Sequence, residues 1–263
     1  SAVSRGLGDV YKRQALASQR RAELVNSLQS ASFHGLPGKK YQVNSLLSKL
    51  STSDSLFEIG LLEGLFMIAF TEYASDLDTG VLIPSEVDTD IVRQINFPDT
   101  DFYIQGLLSR NPYDYFRSLG PQSSEYARLL VEYQKLSEII RNGGWSNIAT
   151  DRILRFGDSG DDVVAIRNRL FDQGYMPNSI STKFDKKLLK AVQKYQSDHG
   201  LIPDGIIGAG TILELNITAE QRLSSIIVAL ERERWLGDTL GQRHIWVNLA
   251  DFKAKIIEDH AVV

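Results

Sequence analysis

The sequence predicts a mainly α protein: a helical scaffold, then a small three-helix domain, then the first strands of a β-rich domain. Three observations carry this. Apolar residues recur at spacings of three and four from about Gln14 to Ile148, with few β-branched runs. Three short helical stretches between residues 151 and 217 are separated by glycine-rich loops. Near the end, Ile245, Val247 and Leu249 alternate with polar residues, and a second run carries Ile256 and Ile257.

The elements follow in order. A first helix places Leu24, Leu28 and Ala31 on one face and runs out before "HGLPGKKY", where Gly35 and Pro37 interrupt it. A short helix with Leu46, Leu47 and Leu50 comes next. The third is long: "SDSLFEIGLLEGLFMIAFTEYASDLDTG" opens with Ser53 or Asp54 as N-cap, turns Leu61, Leu65 and Ala69 toward a core, and stops at Gly80. Its apolar face is wide enough for a central position. A connection rich in proline and aspartate leads through "DFYIQGLLS" and "NPYDYFRSLGP" to a helix bearing Leu129, Leu130, Tyr133, Leu136 and Ile140, ended by Gly143 and Gly144. After Asn216, Thr218 and Gln221 stand at capping-box spacing at the head of an amphipathic helix.

Composition narrows the function classes. Of 263 residues, 43% are hydrophobic and 24% charged, which fits a folded chain with room for more than one domain. A net charge of -4 and a pI near 5.6 supply no basic footprint, so nucleic acid is not an expected partner. The longest apolar run, "GLLEGLFMIAF", is broken by Glu63 and falls short of the roughly 20 residues needed to span a bilayer, so no membrane span is expected. There is no cysteine, hence no disulfide, zinc-thiolate site or thiol nucleophile. Residues 1–14, "SAVSRGLGDVYKRQ", lack the layout of a secretory signal and read as a non-native leader.

Several stretches invite a chemical reading. Gly157-Asp158-Ser159-Gly160 has the residues that surround a protease nucleophile, but an activated serine needs a histidine and an aspartate around it, and the only upstream histidine, His34, lies in a helical region. The expectation is instead that Ser159 N-caps the following helix with Asp162 as its capping-box partner. His34, His199, His244 and His260 include no pair at i, i+4 spacing. The acidic turns at Asp76 and Asp158 carry Val87 and Arg169 where a calcium loop needs glutamate. "DGIIGAGT" is not a dinucleotide fingerprint, and no S-x-x-K occurs. Neither metal nor cofactor is expected.

Residues 154–215 resemble the small peptidoglycan-binding domain found beside many cell-wall enzymes. The resemblance rests on Leu154, Gly157, Asp158, Gly160 and Val164, on Leu170, Gly174 and Tyr175, and on Phe184-Asp185. It continues through Ala191, Val192, Tyr195 and Gln196, then "HGL", "DGIIG", Thr211 and Leu213. Val164, Leu170, Leu189, Val192, Tyr195 and Leu213 read as one small core. Gln196, His199, Asp204 and Thr211, polar and beside the loops, are the candidate contacts to glycan strands and stem peptides.

The flanks resemble the large multi-domain murein L,D-transpeptidases. "HGL", "FTEYASDLDTG" and "YARLLVEYQKLSEIIRNGGW" look like their scaffold, and "LERERWL" with "RHIWVNLADFKAKIIEDHAVV" looks like the linker helix and first strands of a YkuD-type catalytic domain. The resemblance implies a scaffold at 15–149, a peptidoglycan-binding domain at 150–217, a linker helix at 218–242 and the start of a catalytic domain at 243–263. It further implies a periplasmic or cell-envelope location in a Gram-negative bacterium, with peptidoglycan as partner. The family's nucleophile is a cysteine in a His-Gly-Cys motif, which this chain lacks, so no catalytic residue is carried over. The expectation is an N-terminal fragment supplying scaffold and wall binding. A stand-alone peptidoglycan-binding adaptor and an accessory region of a wall hydrolase are the alternatives.

Overall fold

The computed structural model describes residues 2–237, 241–248, 252–259 and 261–263, with side chains from residue 16 onward. Leu249 and His260 lie outside the described residues. The chain is mainly α, as its periodicity predicts, with short strands confined to its end. It divides into two compact units, Ser1–Tyr133 with Ile226–Val263, and Gln134–Ser225.

In the first unit, α1 (Ala2–Gln29) buries Leu24 and Leu28, and a 3-10 turn at Ala31–His34 buries Ala31 behind them. A second 3-10 turn, Gly38–Tyr41, leads into α2 (Val43–Thr52), which buries Leu46 and packs Leu47 and Leu50. The central helix is α3 (Leu56–Thr79). It starts later than expected, behind Ser55, whose side chain makes no capping bond. Its core face also differs. Ala69 is buried as expected, but Leu61 and Leu65 face outward, and Leu62, Phe66, Phe70, Tyr73 and Leu77 fill the core. A helix apolar all round offers two stripes of similar hydropathy, and the stripe that can bury aromatic rings wins because rings remove more surface from water.

The short α4 (Pro84–Val87) precedes α5 (Thr100–Ser109), where the Asp99 carboxylate accepts from the Phe102 N–H at 2.9 Å, and α6 (Pro112–Ser118), opened by Asn111 and a proline in the first turn. Buried Tyr115 donates to the Tyr103 carbonyl at 2.9 Å. α7 (Ser124–Arg141) follows, and Gly144, at φ 72°, closes its end by donating to the Ile139 carbonyl.

The second unit holds α8 (Asp161–Asp172), α9 (Lys186–Asp198) and α10 (Ala209–Leu215). Next comes α11 (Ala219–Leu236), headed by the expected capping box: Thr218 N–H donates to Gln221 Oε1 at 3.0 Å and Gln221 N–H to Thr218 Oγ1 at 3.2 Å.

The far end of α11 belongs to the first unit, and its polar residues are structural. Arg234, almost wholly buried, donates to Glu231 at 3.1 Å, to the Tyr126 hydroxyl at 3.1 Å and to the His34 carbonyl. Glu231 accepts from the Leu82 N–H at 2.7 Å, and the Trp235 indole N–H donates to the Leu82 carbonyl. Two of the four charges of "LERERWL", Glu231 and Arg234, are therefore spent inside the fold. Strands β1 (Arg243–Asn248), β2 (Lys253–Glu258) and β3 (Ala261–Val262) form an antiparallel sheet in sequence order, with Ile245 opposite Ile256 and His244 opposite Ile257. Ile245 and Val247 are exposed on it.

Candidate functional site

The second unit is built by a strand-like entry segment that pins three helices. Leu154 pairs with Ile207 in an isolated bridge, the Gly157 N–H donates to the Phe184 carbonyl, and the Phe184 N–H donates to the Asp158 carbonyl at 2.7 Å. The Asp158 carboxylate turns back to accept from the Arg155 N–H at 2.8 Å. Ser159 is not the cap of α8. It sits in an isolated bridge with Lys183, and the capping position falls on Gly160, whose φ of 138° suits glycine alone. Bridging holds Ser159 extended one residue too early to reach the helix. Asp162, the expected box partner, meets Arg152 at 3.1 Å instead.

The core of this unit takes Leu170, Val192 and Tyr195 as expected, but Val163 and Leu188 are buried where their neighbours Val164 and Leu189 are half-covered, and Leu213 is 73% exposed while Leu215 is buried. Each is a one- or two-residue shift of face on a short helix, where few residues fix the phase. Buried Arg167 joins Asp185 at 2.9 Å and donates to the Lys183 carbonyl at 2.6 Å. Asp185 also caps α9 by accepting from Lys187 and Leu188 N–H. The Leu188 N–H first, then Arg167 and last the Lys187 N–H hold its carboxyl below the usual range.

Three of the four candidate contact residues converge, and they converge on one another. Gln196 is 2% exposed. Its Nε2 shares two hydrogens among Asp204 Oδ1 at 3.0 Å, the Ile206 carbonyl at 2.9 Å and Thr211 Oγ1 at 3.2 Å, while its Oε1 accepts from the buried Gly205 N–H at 2.9 Å. Thr211 is buried as well, and Asp204 stands exposed at the loop. The network clamps the loop between α9 and α10. Gly205, at φ 75°, completes that tight turn.

His199 belongs to a second network. Its Nδ1 lies 3.1 Å from Glu214 Oε1, its Nε2 lies 3.3 Å from the Tyr175 hydroxyl, and its ring packs on Tyr195 at 4.2 Å between centroids. Arg222 reaches the same Glu214 oxygen at 2.6 Å. With its proton on Nδ1 the imidazole donates to Glu214 and accepts from Tyr175. Burial, and then the Arg222 charge, lower its pKa, so the ring is neutral at pH 7. Burial, and then the Asp198 charge, push the Tyr175 hydroxyl up to about 12, where it remains a donor. Sequence reasoning did not single out Glu214 or Arg222. Their only sequence signal is that they flank the Thr218 capping box on separate helices.

This row of Tyr175, His199, Glu214 and Arg222 is partly solvent-accessible and sets two rings beside a carboxylate and a guanidinium. Such a surface suits a neutral, hydroxyl- and amide-bearing polymer. Among the described residues, no three His, Cys, Asp or Glu side chains are grouped to hold a metal ion.

A family model described as "Scaffold domain" matches residues 11–132, and one described as "Putative peptidoglycan binding domain" matches residues 159–215. These matches support a cell-wall-associated multi-domain protein with peptidoglycan as its partner. The chain is also similar to a protein of Kitasatospora aureofaciens described as "Uncharacterized protein in bpoA1 3'region", 39% identical over 80 residues. That match covers 30% of this chain and 66% of the relative. Among the described residues, no helix is long and apolar enough to cross a membrane.

Proposed function

We propose that this chain holds peptidoglycan through residues 150–217, presented by the helical scaffold at 15–149, and that it serves L,D-transpeptidation of the cell wall. The observation that carries the reading is the peptidoglycan-binding match over residues 159–215, which falls on a unit with its own buried core. Glycan hydroxyls and acetamides would lie against the Tyr175–His199 edge, with stem-peptide carboxylates toward Arg222. Of the sequence-derived contacts, His199 and Asp204 are positioned to touch a ligand directly, while Gln196 and Thr211 would act by holding the loop.

The transpeptidase role rests on the resemblance of the scaffold, the α11 segment and the final strands. On this reading the protein works in the periplasm of a Gram-negative cell. This chain has no cysteine and supplies no thiolate of its own, so its part in cross-linking is binding and scaffolding. Cosedimentation of the full chain with purified sacculi, against a cellulose control, tests the binding. Retention by sacculi that soluble muropeptides compete away is expected. A folded chain that stays in the supernatant rules the reading out.

A further inference from the structure

The outward face of α3 is apolar, and nothing described covers it. Leu56 and Phe57 are 87% and 81% exposed, Leu61 59%, Leu65 38% and Ile68 55%. Gly60 and Gly64 lie on the same face, and a Cβ added at either would meet no atom within 4 Å. On a helical projection Phe57 and Ile68 run along the middle, the two glycines along one edge, and Leu61 and Leu65 along the other. We propose that this face pairs with the same face of a second copy of the chain, α3 against α3, antiparallel about a twofold axis.

The placement of the residues selects that occupant. A twofold axis perpendicular to two antiparallel helices sets like edge beside like edge. Gly60 then faces Gly64 of the second copy, Leu61 faces Leu65, and Phe57 faces Ile68. The midpoints of these three pairs fall within half a residue of one level, between positions 62 and 63, so a single axis satisfies all of them. The glycine edge lets the backbones approach, and the leucine edge interdigitates. Glu58 lies outside the leucine edge and its own copy falls nine residues further along the partner helix (58 against 67 in level), so the two Glu58 side chains are not forced together. Glu63 points away and is held by Arg21 at 2.5 Å. A partner of unrelated sequence would need no such common centre. The patch is on the order of 500 Å² per copy, which brings the pair to the roughly 1,000 Å² total that marks a specific though weak contact.

Sedimentation equilibrium of the full chain from low- to high-micromolar concentration tests the proposal. The mass should rise from one chain toward two. Leu61→Asp and Gly64→Leu should each weaken association at least tenfold without disturbing the helical circular dichroism, because both positions are open in the single chain. The chain's lack of cysteine permits a register test. A tagged Gly60→Cys chain mixed with an untagged Gly64→Cys chain should cross-link on oxidation faster than either alone. A mass that stays at one chain throughout overturns the proposal, as does a dimer indifferent to both substitutions. A single chain that cosediments with phospholipid vesicles, and loses this on Leu61→Asp, assigns the face to a membrane and also overturns it.

Discussion

Replacing Gln196 by alanine separates two roles that one residue could play. The side chain holds a buried N–H, that of Gly205, and satisfies the Ile206 carbonyl and the Asp204 carboxylate. Each such bond contributes about 1 kcal/mol net, and a buried amide left without a partner costs about 1–3 kcal/mol. The removed atoms also leave a small void, so the expected loss is about 3 kcal/mol. That is on the order of a hundredfold in any opening equilibrium of the loop. Amide exchange of the full chain, read by mass spectrometry on peptides spanning residues 196–207, should therefore accelerate by about that factor. Sacculus binding should fall only to the extent that the loop is open. Gln196→Glu should be worse than alanine for the loop, because it keeps the acceptor for Gly205 but sets a second carboxylate against Asp204. If Gln196→Ala abolished sacculus binding while exchange and melting stayed as in the parent chain, Gln196 would be a ligand contact and the structural account of it would be wrong.

Three further outcomes follow from the same reasoning. Asp185→Ala removes the α9 cap and strands the buried Arg167 guanidinium, so thermal unfolding should show a loss of about 2–4 kcal/mol, well beyond the roughly 1 kcal/mol of a cap alone. Gly80→Ala places a methyl 2.7 Å from Glu231 and from the Trp235 indole at a φ of 93°, and should cost about 2 kcal/mol or more; an unchanged denaturant midpoint would contradict the packing described. Burial, and then the Arg234 charge, lower the His34 pKa from 6.5 to about 4. The unfolded chain thus binds a proton that the folded chain refuses, so this stability is whole above pH 6.5 and drains away as pH falls toward 4, by up to about 3 kcal/mol. His34→Gln should flatten that part of the stability profile, and ring titration by NMR should show an imidazole still neutral at pH 5.5.

What was legible in the sequence was local. The Thr218–Gln221 box and the Gly143-Gly144 stop need only residues within a turn of each other, and the helical phase around Leu24 and Leu28 is legible because the opposite face, with Gln19, Asn26 and Gln29, is polar. The core stripe of α3 is not legible, for the opposite reason: with apolar residues on every side, phase is decided by what the rest of the chain brings to it. The role of Ser159 depends on a partner 24 positions away, since its bridge to Lys183 fixes the backbone before the helix begins. The Tyr175, His199, Glu214 and Arg222 row spans four separate segments, so no spacing rule could assemble it. Gln196 reads in the sequence as polar and near a loop, but its direction is set by Gly205, Ile206 and Thr211, which only the fold brings to it.

The two networks of the second unit also explain why its most recognisable residues are poor guides to its ligand. Asp158, Asp185, Gln196 and Thr211 carry the sequence pattern, and each spends hydrogen bonds on a backbone turn or a neighbouring side chain. Residues so committed cannot turn to a ligand without loosening the turn they close. A substitution among them removes binding by removing the fold, which mimics a contact in any assay that measures binding alone. On the proposed reading, recognition falls to the partly exposed Tyr175–His199 edge and to Arg222, the last of which lies outside the resemblance. Ligand preference can drift there while the clamp stays fixed. Paired measurements of exchange and wall binding on Arg222→Ala and Gln196→Ala should consequently move in opposite proportion: binding more than exchange for the first, exchange more than binding for the second.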